Sequence, residues 1–348
     1  MTERSEAGPA DSPTLVASLW SYLPGVAALI CIGLVARLLS QVVPYVNALI
    51  AAVAIGILLG NLVGVPDRLS PGTETHKLWL EAGIVLMGAR ISLETLLEAG
   101  AELALVVAFG VLGTILLVEL LAVSVFDVPQ KLGSLLAAGA GICGVSAVVG
   151  VAGSIRANEE QIAYAAGTIL LFDVVTLFVY PAVGEWLGLA DRVFGVWAGL
   201  TMFSTGPVTA AGFAVSETAG QWATVTKLTR NLLLGGLVAA YSIRYAGRGE
   251  AGESAVSAAT LWSSFPKFVI GFFAVMVLTS TALVSSADTT QLTHAYRWLF
   301  LFAFAGLGLS VDVGDLRETG VRPVALVLTT LVLVSVASLF VIQAVLGG

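Results

Sequence analysis

The sequence carries little charge and few chemically reactive side chains. Charged residues make up 11% of its 348 positions, whereas an ordinary soluble domain has about 25%. So few charges cannot cover a water-exposed surface, which excludes an ordinary soluble protein. The two cysteines and two histidines do not suffice for a disulfide framework or a Cys/His metal centre. We therefore expect no metal and no cofactor.

The acidic balance excludes a further class of partner. The net charge is −7 and the sequence pI is about 4.9, whereas nucleic-acid binding needs a basic surface. The first 13 residues are polar and lack the basic segment and cleavage site of a signal peptide. We expect residues 1–13 to form a disordered polar tail and residues 14–348 to form a single transmembrane domain.

Long apolar runs, in contrast, are abundant. The mean hydropathy is +0.96, and a run of about 20 apolar residues can cross a hydrocarbon core about 30 Å thick. The sequence therefore predicts an all-α, multi-pass protein of the cell membrane with ten or eleven transmembrane helices. The candidate spans are 20–39, 45–64, 78–97, 100–126, 132–153, 160–183, 193–215, 222–245, 265–285, 290–312 and 321–346.

Orientation and internal symmetry follow from the span order. On the eleven-span count, 10 Lys and Arg residues lie on the side of the N-terminus and 6 on the other, which predicts a cytoplasmic N-terminus. "LMGARISLETLLEAG", ending at Gly100, shares four identities with "GLGLSVDVGDLRETG", ending at Gly320. These stretches lie seven spans apart and so run in opposite directions, which indicates the inverted repeat of many secondary transporters.

Two candidate spans contain residues that interrupt helices. "GAGICGVS" (139–146) is rich in glycine, and "FSTGPVT" (203–209) contains Pro207, which disfavours helix at the residue before it. Half-helix N-termini inside a membrane attract anions. We predict that the two stretches cross near the midplane and bind a small anionic substrate; the alternatives are close helix packing and a proline kink. The predicted substrate-binding residues are Gly139, Gly141, Cys143, Gly144, Ser146, Ser204, Thr205, Gly206 and Thr209.

Isolated charges form a second group of candidates. Asp173 has about ten uncharged residues on either side, and an unpaired charge at that depth is costly. Asp173 is therefore predicted to bind a coupling ion, proton or sodium, or to pair with a buried arginine. Lys227, Arg230 and Asn231 share one helical face. These three, and Arg90 at the end of another span, either attract the anion and pair with a carboxylate or lie at the membrane border.

Several separated motifs resemble one known family. The segments "GAGICGVSAVVGVAGSIRANEEQIAYAAGTILLF", "GVWAGL", "ATVTKLTRNLLL" and "GLGLSVDVGDL" resemble, in the same order, those of the YeiH-type family, whose members are usually labelled sulfate exporters. The similarity runs from about residue 25 to the C-terminus. The family is distantly similar to sodium/proton antiporters and bile-acid symporters, which implies broken helices, a panel and a core domain, inverted repeats and elevator-like alternating access. Where family members usually carry an "HDTAQV"-like stretch this chain has "FSTGPV" (203–208), so Asp173 is the candidate replacement carboxylate.

The expected function is secondary active export of a small anion, such as sulfate or an organosulfonate, across the lipid bilayer. One alternative is a cation/proton antiporter that uses Asp173. A channel would need a filter sequence or a regular charged ring, and an intramembrane enzyme would need a nucleophile–base pair or a metal cluster. Neither pattern is present, so we expect a protein that is not an enzyme. A homodimer stays open as the assembly.

Overall fold

The computed structural model describes residues 15–43, 46–91, 93–246, 266–281, 284–314 and 320–346. Within these ranges all regular structure is helical. The predicted tail, residues 1–13, lies outside the described residues. The helices are α1 (Leu15–Val42), α2 (Ala48–Leu62), α3 (Ser70–Thr73), α4 (His76–Met87), α5 (Leu93–Ser124), α6 (Gln130–Ala138), α7 (Val145–Ala152), α8 (Glu159–Trp186), α9 (Asp191–Thr201), α10 (Thr205–Val215), α11 (Glu217–Asn231), α12 (Leu234–Ala246), α13 (Phe268–Ser280), α14 (Ser286–Leu309) and α15 (Val321–Leu346). A 3-10 turn (Gly88–Arg90) follows α4, and a π-helical turn (Gly139–Cys143) follows α6.

Several helices are suited to a membrane. Four described segments are long and apolar enough to cross one: Trp20–Val42, Gly100–Ser124, Glu159–Trp186 and Val321–Val345. The helices α2 and α13 are also apolar but shorter. Large apolar side chains remain exposed along α5, such as Phe109 at 70% and Leu120 at 63%, and an exposed apolar surface of this kind needs a lipid or protein neighbour. The prediction of an all-helical membrane protein is confirmed.

The helices form two bundles. The first bundle comprises α1 to α4, α13 and α14, which contact one another. Its helices approach closely: a Cβ atom added at Gly56 of α2 would lie 2.5 Å from the Ala305 carbonyl oxygen and 2.9 Å from Gly308 Cα of α14. Small residues that let backbones touch are typical of helix pairs in membranes.

The second bundle comprises α5 to α12 and α15. Its main contact with the first bundle is made by α10, which packs against α2 and α14. Polar contacts made by Asn47 and by Glu217 join the bundles at the same end. Asn47 Nδ2 donates to the Ala214 carbonyl oxygen at 3.2 Å, and Arg297 forms an ion pair with Glu217 at 2.6 Å.

Helices α6 and α7 form an antiparallel hairpin, the first hairpin, with its tip at residues 139–144. Lys131 Nζ, at the start of α6, donates to the Arg156 carbonyl oxygen just beyond α7 at 3.2 Å. A straight helix would place these two residues about 37 Å apart, at 1.5 Å per residue. Near the tip, a Cβ atom added at Gly139 would lie 3.0 Å from Val148 Cγ2. The chain therefore turns back on itself within this stretch.

Helices α9 and α10 form a second antiparallel hairpin, with its tip at residues 202–204. Added Cβ atoms at Gly195 of α9 and Gly212 of α10 would both come within 3.1 Å of the Ala219 carbonyl oxygen of α11. Further along α11, Thr224 Oγ1 lies 3.1 Å from Thr209 Oγ1 of α10. Helix α9 thus runs from the Ala219 end of α11 toward the middle of α11, and α10 runs back to the same end.

The two hairpins enter from opposite ends of the α11–α12 segment. The base of the first hairpin lies at the α12 end, where Ser134 Oγ is 3.0 Å from Tyr245 Oη. The base of the second lies at the α11 end, beside Ala219. Their tips therefore point toward each other at the middle of this segment.

This geometry differs from the sequence prediction, in which residues 132–153 and 193–215 each form one span. The physical cause lies at the two breaks. Gly144 has φ 66° and ψ −138°, a conformation that residues with a Cβ atom rarely adopt, and it reverses the chain after the π-helical turn. Pro207 is the third residue of α10, where no N–H group is needed, so a new helix starts just before it.

Candidate functional site

The tips of the two hairpins touch. A Cβ atom added at Gly144 would lie 2.0 Å from Ser204 Oγ and 3.2 Å from Ser204 Cβ. Glycine is therefore required at position 144 for two reasons, the positive φ angle and the lack of space. The predicted meeting of stretches 139–146 and 203–209 is present in the fold, although as two opposed tips and not as two crossing spans.

Four helix ends meet at this point. The C-terminal ends belong to the π-helical turn after α6 and to α9, and the N-terminal ends belong to α7 and α10. C-terminal ends carry partial negative charge and N-terminal ends partial positive charge. Within the described chain, no side-chain hydrogen bond from the capping residues Gly144 and Ser204 satisfies the first N–H groups of α7 and α10.

Lys227 of α11 neutralises the two C-terminal ends. Its side chain is fully buried, and Nζ donates to the carbonyl oxygens of Ile142 at 2.6 Å and Met202 at 3.1 Å. A third hydrogen bond goes to the Phe203 carbonyl oxygen. Because an ammonium group has three N–H donors, all of them are used to hold the tips together.

Arg230, one turn further along α11, has the same role. It is 1% exposed, and Nε donates to the Gly141 carbonyl oxygen at 3.2 Å. Its terminal nitrogens donate to the Ala140 oxygen at 2.7 Å, the Met202 oxygen at 2.8 Å and the Gly199 oxygen at 3.0 Å. Four of its five N–H donors therefore bind backbone of both hairpins.

Both cations are buried at the junction of the hairpin tips. The sequence prediction started their span at residue 222, whereas α11 begins at Glu217, five residues earlier. Lys227 and Arg230 therefore lie near the middle of the segment 217–246 and not near its start.

Asp173 of α8 lies on the other side of the second tip. It is 2% exposed, and Oδ1 accepts a hydrogen bond from the Ser204 backbone N–H at 2.9 Å. Among the described residues Oδ2 has no hydrogen-bond partner. The carboxylate therefore lies at the positive end of α10, with one oxygen bound and one oxygen free.

Asn231 completes the polar side chains around the tips. Its Nδ2 donates to Thr205 Oγ1 at 3.2 Å, while Oδ1 is buried without a hydrogen-bond partner in the described part of the chain. Thr205 is half-buried and is the first residue of α10. Ser146, the second residue of α7, is exposed. The two hydroxyl groups thus lie in the first turns of the two opposed half-helices.

Other predicted site residues serve packing. Added Cβ atoms at Gly139 and Gly141 would lie 2.9 Å from Ile169 Cγ1 and 2.6 Å from Ile115 Cγ1, so neither glycine faces an open cavity. The Cys143 side chain is buried, and Thr209 bonds to Thr224 inside the bundle. Arg90 is exposed at the end of the 3-10 turn in the first bundle.

Gly206 faces the first bundle. A Cβ atom added there would lie 3.4 Å from Leu307 Cδ2 and 3.5 Å from Leu80 Cδ2, which is ordinary van der Waals contact. The first turn of α10 thus abuts α14 and α4. By contrast, the contacts of α7 are made mainly with its own bundle, and Val149 of α7 is 60% exposed.

Comparisons with known proteins place the chain in a family. The family model described as "Conserved hypothetical protein 698" matches residues 24–327. A UPF0324 membrane protein of Nitratidesulfovibrio vulgaris is 31% identical and covers 86% of this chain and 87% of its own length. A second, from Agrobacterium fabrum, is 32% identical over 91% of each chain. The chain belongs to the UPF0324 family. This confirms the YeiH-type resemblance, and no solved structure matches the chain.

Membership of the UPF0324 family, with the apolar helices described above, makes the chain a multi-pass membrane protein. A relative from Clostridium tetani, 28% identical over 94% of this chain and 98% of its own length, is likewise described as a membrane protein. The described residues contain no group of three or more His, Cys, Asp or Glu side chains placed to hold a metal ion.

Sequence reasoning missed several partners at the tips of this UPF0324 protein. The carbonyl groups of Ile142, Met202 and Phe203 bind Lys227 through the backbone, and backbone acceptors leave no signal in residue identity. Leu80 and Leu307, which face Gly206, belong to apolar runs without distinguishing neighbours. At the base of the second hairpin, the ion pair of Glu217 with Arg297 joins residues far apart in the sequence.

Proposed function

We propose that this chain is a secondary active transporter that carries a small anion, bound between the N-terminal ends of α7 and α10. One observation carries the proposal. The hairpin tips hold two buried cations, Lys227 and Arg230, but one buried carboxylate, Asp173. This leaves an excess of positive charge beside two helix N-termini, and an isolated buried charge is costly unless an opposite charge compensates for it.

The binding groups in this proposal are backbone N–H groups and hydroxyls. The free N–H groups in the first turns of α7 and α10 point along the helix axes toward the anion, and Ser146 and Thr205 add hydroxyl donors. The donors of Lys227 are all used, so it acts as a fixed charge that does not touch the substrate. A sulfate or sulfonate group has several acceptor oxygens that suit two such sets of donors.

The arrangement of the bundles supports elevator-like alternating access. We infer an inverted repeat in which the first hairpin and α8 correspond to the second hairpin and the α11–α12 segment. The α4–α5 and α14–α15 junctions, which are similar in sequence, are also paired in this repeat. The first junction precedes its hairpin in the chain, whereas the second follows its hairpin. Nine helical segments then cross the membrane and two hairpins re-enter, and the second bundle moves the tips past the first bundle.

The orientation in this proposal has the N-terminus in the cytoplasm. If the hairpins re-enter, seven described Lys and Arg residues lie at the end of the molecule where α1 begins: Arg68, Lys77, Lys131, Arg156, Arg244, Lys267 and Arg322. Four lie at the opposite end: Arg37, Arg90, Arg192 and Arg297. This asymmetry follows the positive-inside rule. An inside-negative potential then favours exit of a bound anion, by about 2.3 kcal/mol per net charge per 100 mV, which supports export.

Flux measurements in proteoliposomes test the proposal. Vesicles with purified protein should move at least one of sulfate, sulfite, taurine and small carboxylates faster than protein-free vesicles. Thr205→Val should weaken the apparent affinity for that anion by about 1–3 kcal/mol, since a hydrogen-bond donor to the anion is lost. Thr209→Val is the matched control, because Thr209 bonds within the bundle, and it should leave the affinity unchanged. Absence of flux for the whole series, or equal effects of both variants, would contradict the proposal.

A cation/proton antiporter is the second candidate, and one observation favours it. Asp173 Oδ2 and Asn231 Oδ1 are both buried without hydrogen-bond partners among the described residues, and free oxygen atoms suit a cation. In the same vesicles an antiporter would collapse a pH gradient when sodium or potassium is added in the absence of any transported anion. An anion transporter would collapse it only with its anion.

A further inference from the structure

Asp173 occupies the end of α10 that the anion would need. Its Oδ1 accepts the Ser204 N–H at 2.9 Å, and Ser204 is the capping residue of α10. Helix N-termini bind negative charge whether it belongs to a ligand or to the protein. An ionised Asp173 is therefore an internal anion already placed at the site.

The two half-helices differ in this respect. Helix α7 carries no titratable side chain, and no side-chain hydrogen bond from its capping residue Gly144 satisfies its first turn in the described chain. At α10, an ionised carboxylate and a bound anion would lie within about one helical turn of each other, 5.4 Å. At an effective dielectric constant of about 20, repulsion between two unit charges at this distance weakens binding about a hundredfold.

The free oxygen of Asp173 decides how this repulsion can be removed. Oδ2 is buried and has no hydrogen-bond partner among the described residues, so it can take up a proton without breaking an existing bond. Oδ1 still accepts the Ser204 N–H after protonation. The new O–H group on Oδ2 is then a hydrogen-bond donor, and the atom that repelled the anion can bind it.

We propose that Asp173 controls the anion site by protonation: its ionised form blocks the N-terminus of α10, and its neutral form admits the anion. This proposal rests on the proposed function, and it names the coupling ion as a proton. One proton passes from water to Oδ2 as the anion binds and returns to water as the anion leaves. With Asp173 neutral, the tips keep the two charges of Lys227 and Arg230, which match a divalent anion such as sulfate.

The surroundings of Asp173 contain few other groups that could cause such a pH dependence. Among the described residues, Lys227 and Arg230 are the cations near Asp173, and Cys143 of the π-helical turn and Tyr180 of α8 are buried titratable groups near those cations. Helices α7 and α10 contribute no titratable side chain. The charged residues of α6 and α15 lie at the far ends of those helices, where Lys131 contacts Arg156 and Arg322 contacts Asp127.

Equilibrium binding of radiolabelled sulfate to purified protein tests the proposal. Across the pH range in which Asp173 ionises, wild-type affinity should fall about tenfold per pH unit, because one proton is linked to binding. Asp173→Asn keeps an oxygen for the Ser204 N–H and cannot ionise, so its affinity should be high and independent of pH. Asp191→Asn, an exposed carboxylate at the base of the second hairpin, should behave as wild type.

A second measurement needs no variant and guards against misfolding of Asp173→Asn. In weakly buffered solution above that pH range, wild-type protein should take up about one proton per sulfate bound. In vesicles, an acidic interior should speed sulfate efflux. If sulfate binds but Asp173→Asn keeps the wild-type pH profile, or if no proton is taken up, this proposal is overturned while the anion site stands. If sulfate binds to neither protein at any pH, the proposal fails together with the anion site.

Discussion

Substitution of Gly144 by alanine would test the contact between the two hairpin tips. The change adds one methyl group at the turn between the π-helical turn and α7. It meets two obstacles, a backbone conformation of φ 66° and ψ −138° and the side chain of Ser204, whose Oγ lies 2.0 Å from the added atom. These obstacles can be separated experimentally, because one belongs to the backbone and the other to a neighbouring side chain.

The expected cost follows from both terms. A residue with a Cβ atom in such a sparsely populated backbone conformation costs about 1–3 kcal/mol. Forced displacement in a well-packed interior adds about 1–3 kcal/mol. Gly144→Ala should therefore lower the free energy of unfolding by about 2–6 kcal/mol. Replacing Ser204 by alanine as well removes Oγ and leaves Cβ at 3.2 Å, so the double variant should recover about 1 kcal/mol or more of the packing term.

The assay is a double-mutant cycle of unfolding in detergent, with Gly144→Ala, Ser204→Ala and both together. Gly188→Ala is the matched control, because Gly188 also has a positive φ of 61° but nothing within 4 Å of an added Cβ atom. It should show the cost of a positive φ angle without a packing contact. Sites that do not touch give additive changes to within about 0.5 kcal/mol. Additivity of Gly144→Ala and Ser204→Ala would therefore refute the contact between the tips.

Two further substitutions separate the anchoring of the tips from their contact with the first bundle. Lys227→Met removes the lysine donor from three backbone carbonyl groups, of which the Met202 oxygen keeps a donor from Arg230, and should lower the unfolding free energy by about 3–5 kcal/mol. The exposed Lys77→Met should change it by less than about 0.5 kcal/mol, and equal values would contradict the role of Lys227. Gly206→Leu should stop flux, because the side chain would enter the contact with Leu80 and Leu307, in protein that size-exclusion chromatography shows to be folded. Gly206→Ala adds a Cβ atom 3.4 Å from its nearest neighbour and should keep flux. Loss of flux in Gly206→Ala, or normal flux in Gly206→Leu, would show that this contact does not limit transport.

The positions of the two breaks could be predicted from the sequence, but their geometry could not. Glycine and proline mark where a helix stops, and residues 139–144 and 202–204 indeed interrupt helices. An apolar stretch of about 20 residues has the same composition whether it crosses a membrane or folds back within it. The decisive facts are tertiary: Lys131 meets Arg156, and both arms of the second hairpin meet one turn of α11.

The candidate site, too, could be predicted from the sequence only in part. The spacing of Lys227 and Arg230 indicated a shared helical face, but the predicted start of their span at residue 222 placed both near a helix end, whereas α11 begins at Glu217. The isolation of Asp173 in its apolar run correctly drew attention to it. Its partner, the backbone N–H of Ser204, lies 31 positions away and belongs to the backbone, so no side-chain pattern could have indicated it.

The anchoring of both tips to one helix constrains how the site can change its accessibility. Lys227 and Arg230 each donate to carbonyl groups of both hairpins. Opening one hairpin alone would strip charged donors from buried acceptors, at a cost of about 1.5–3 kcal/mol for each hydrogen bond to a charged group. Moving the second bundle as a unit leaves these bonds intact. It breaks instead contacts at the bundle boundary. One is the ion pair of Glu217 with Arg297, which contributes little because the arginine side chain is 49% exposed, and another is the hydrogen bond from the Tyr296 hydroxyl to Glu217. In the proposed transport function we therefore expect the second bundle to move as a unit, with both tips still bound to α11.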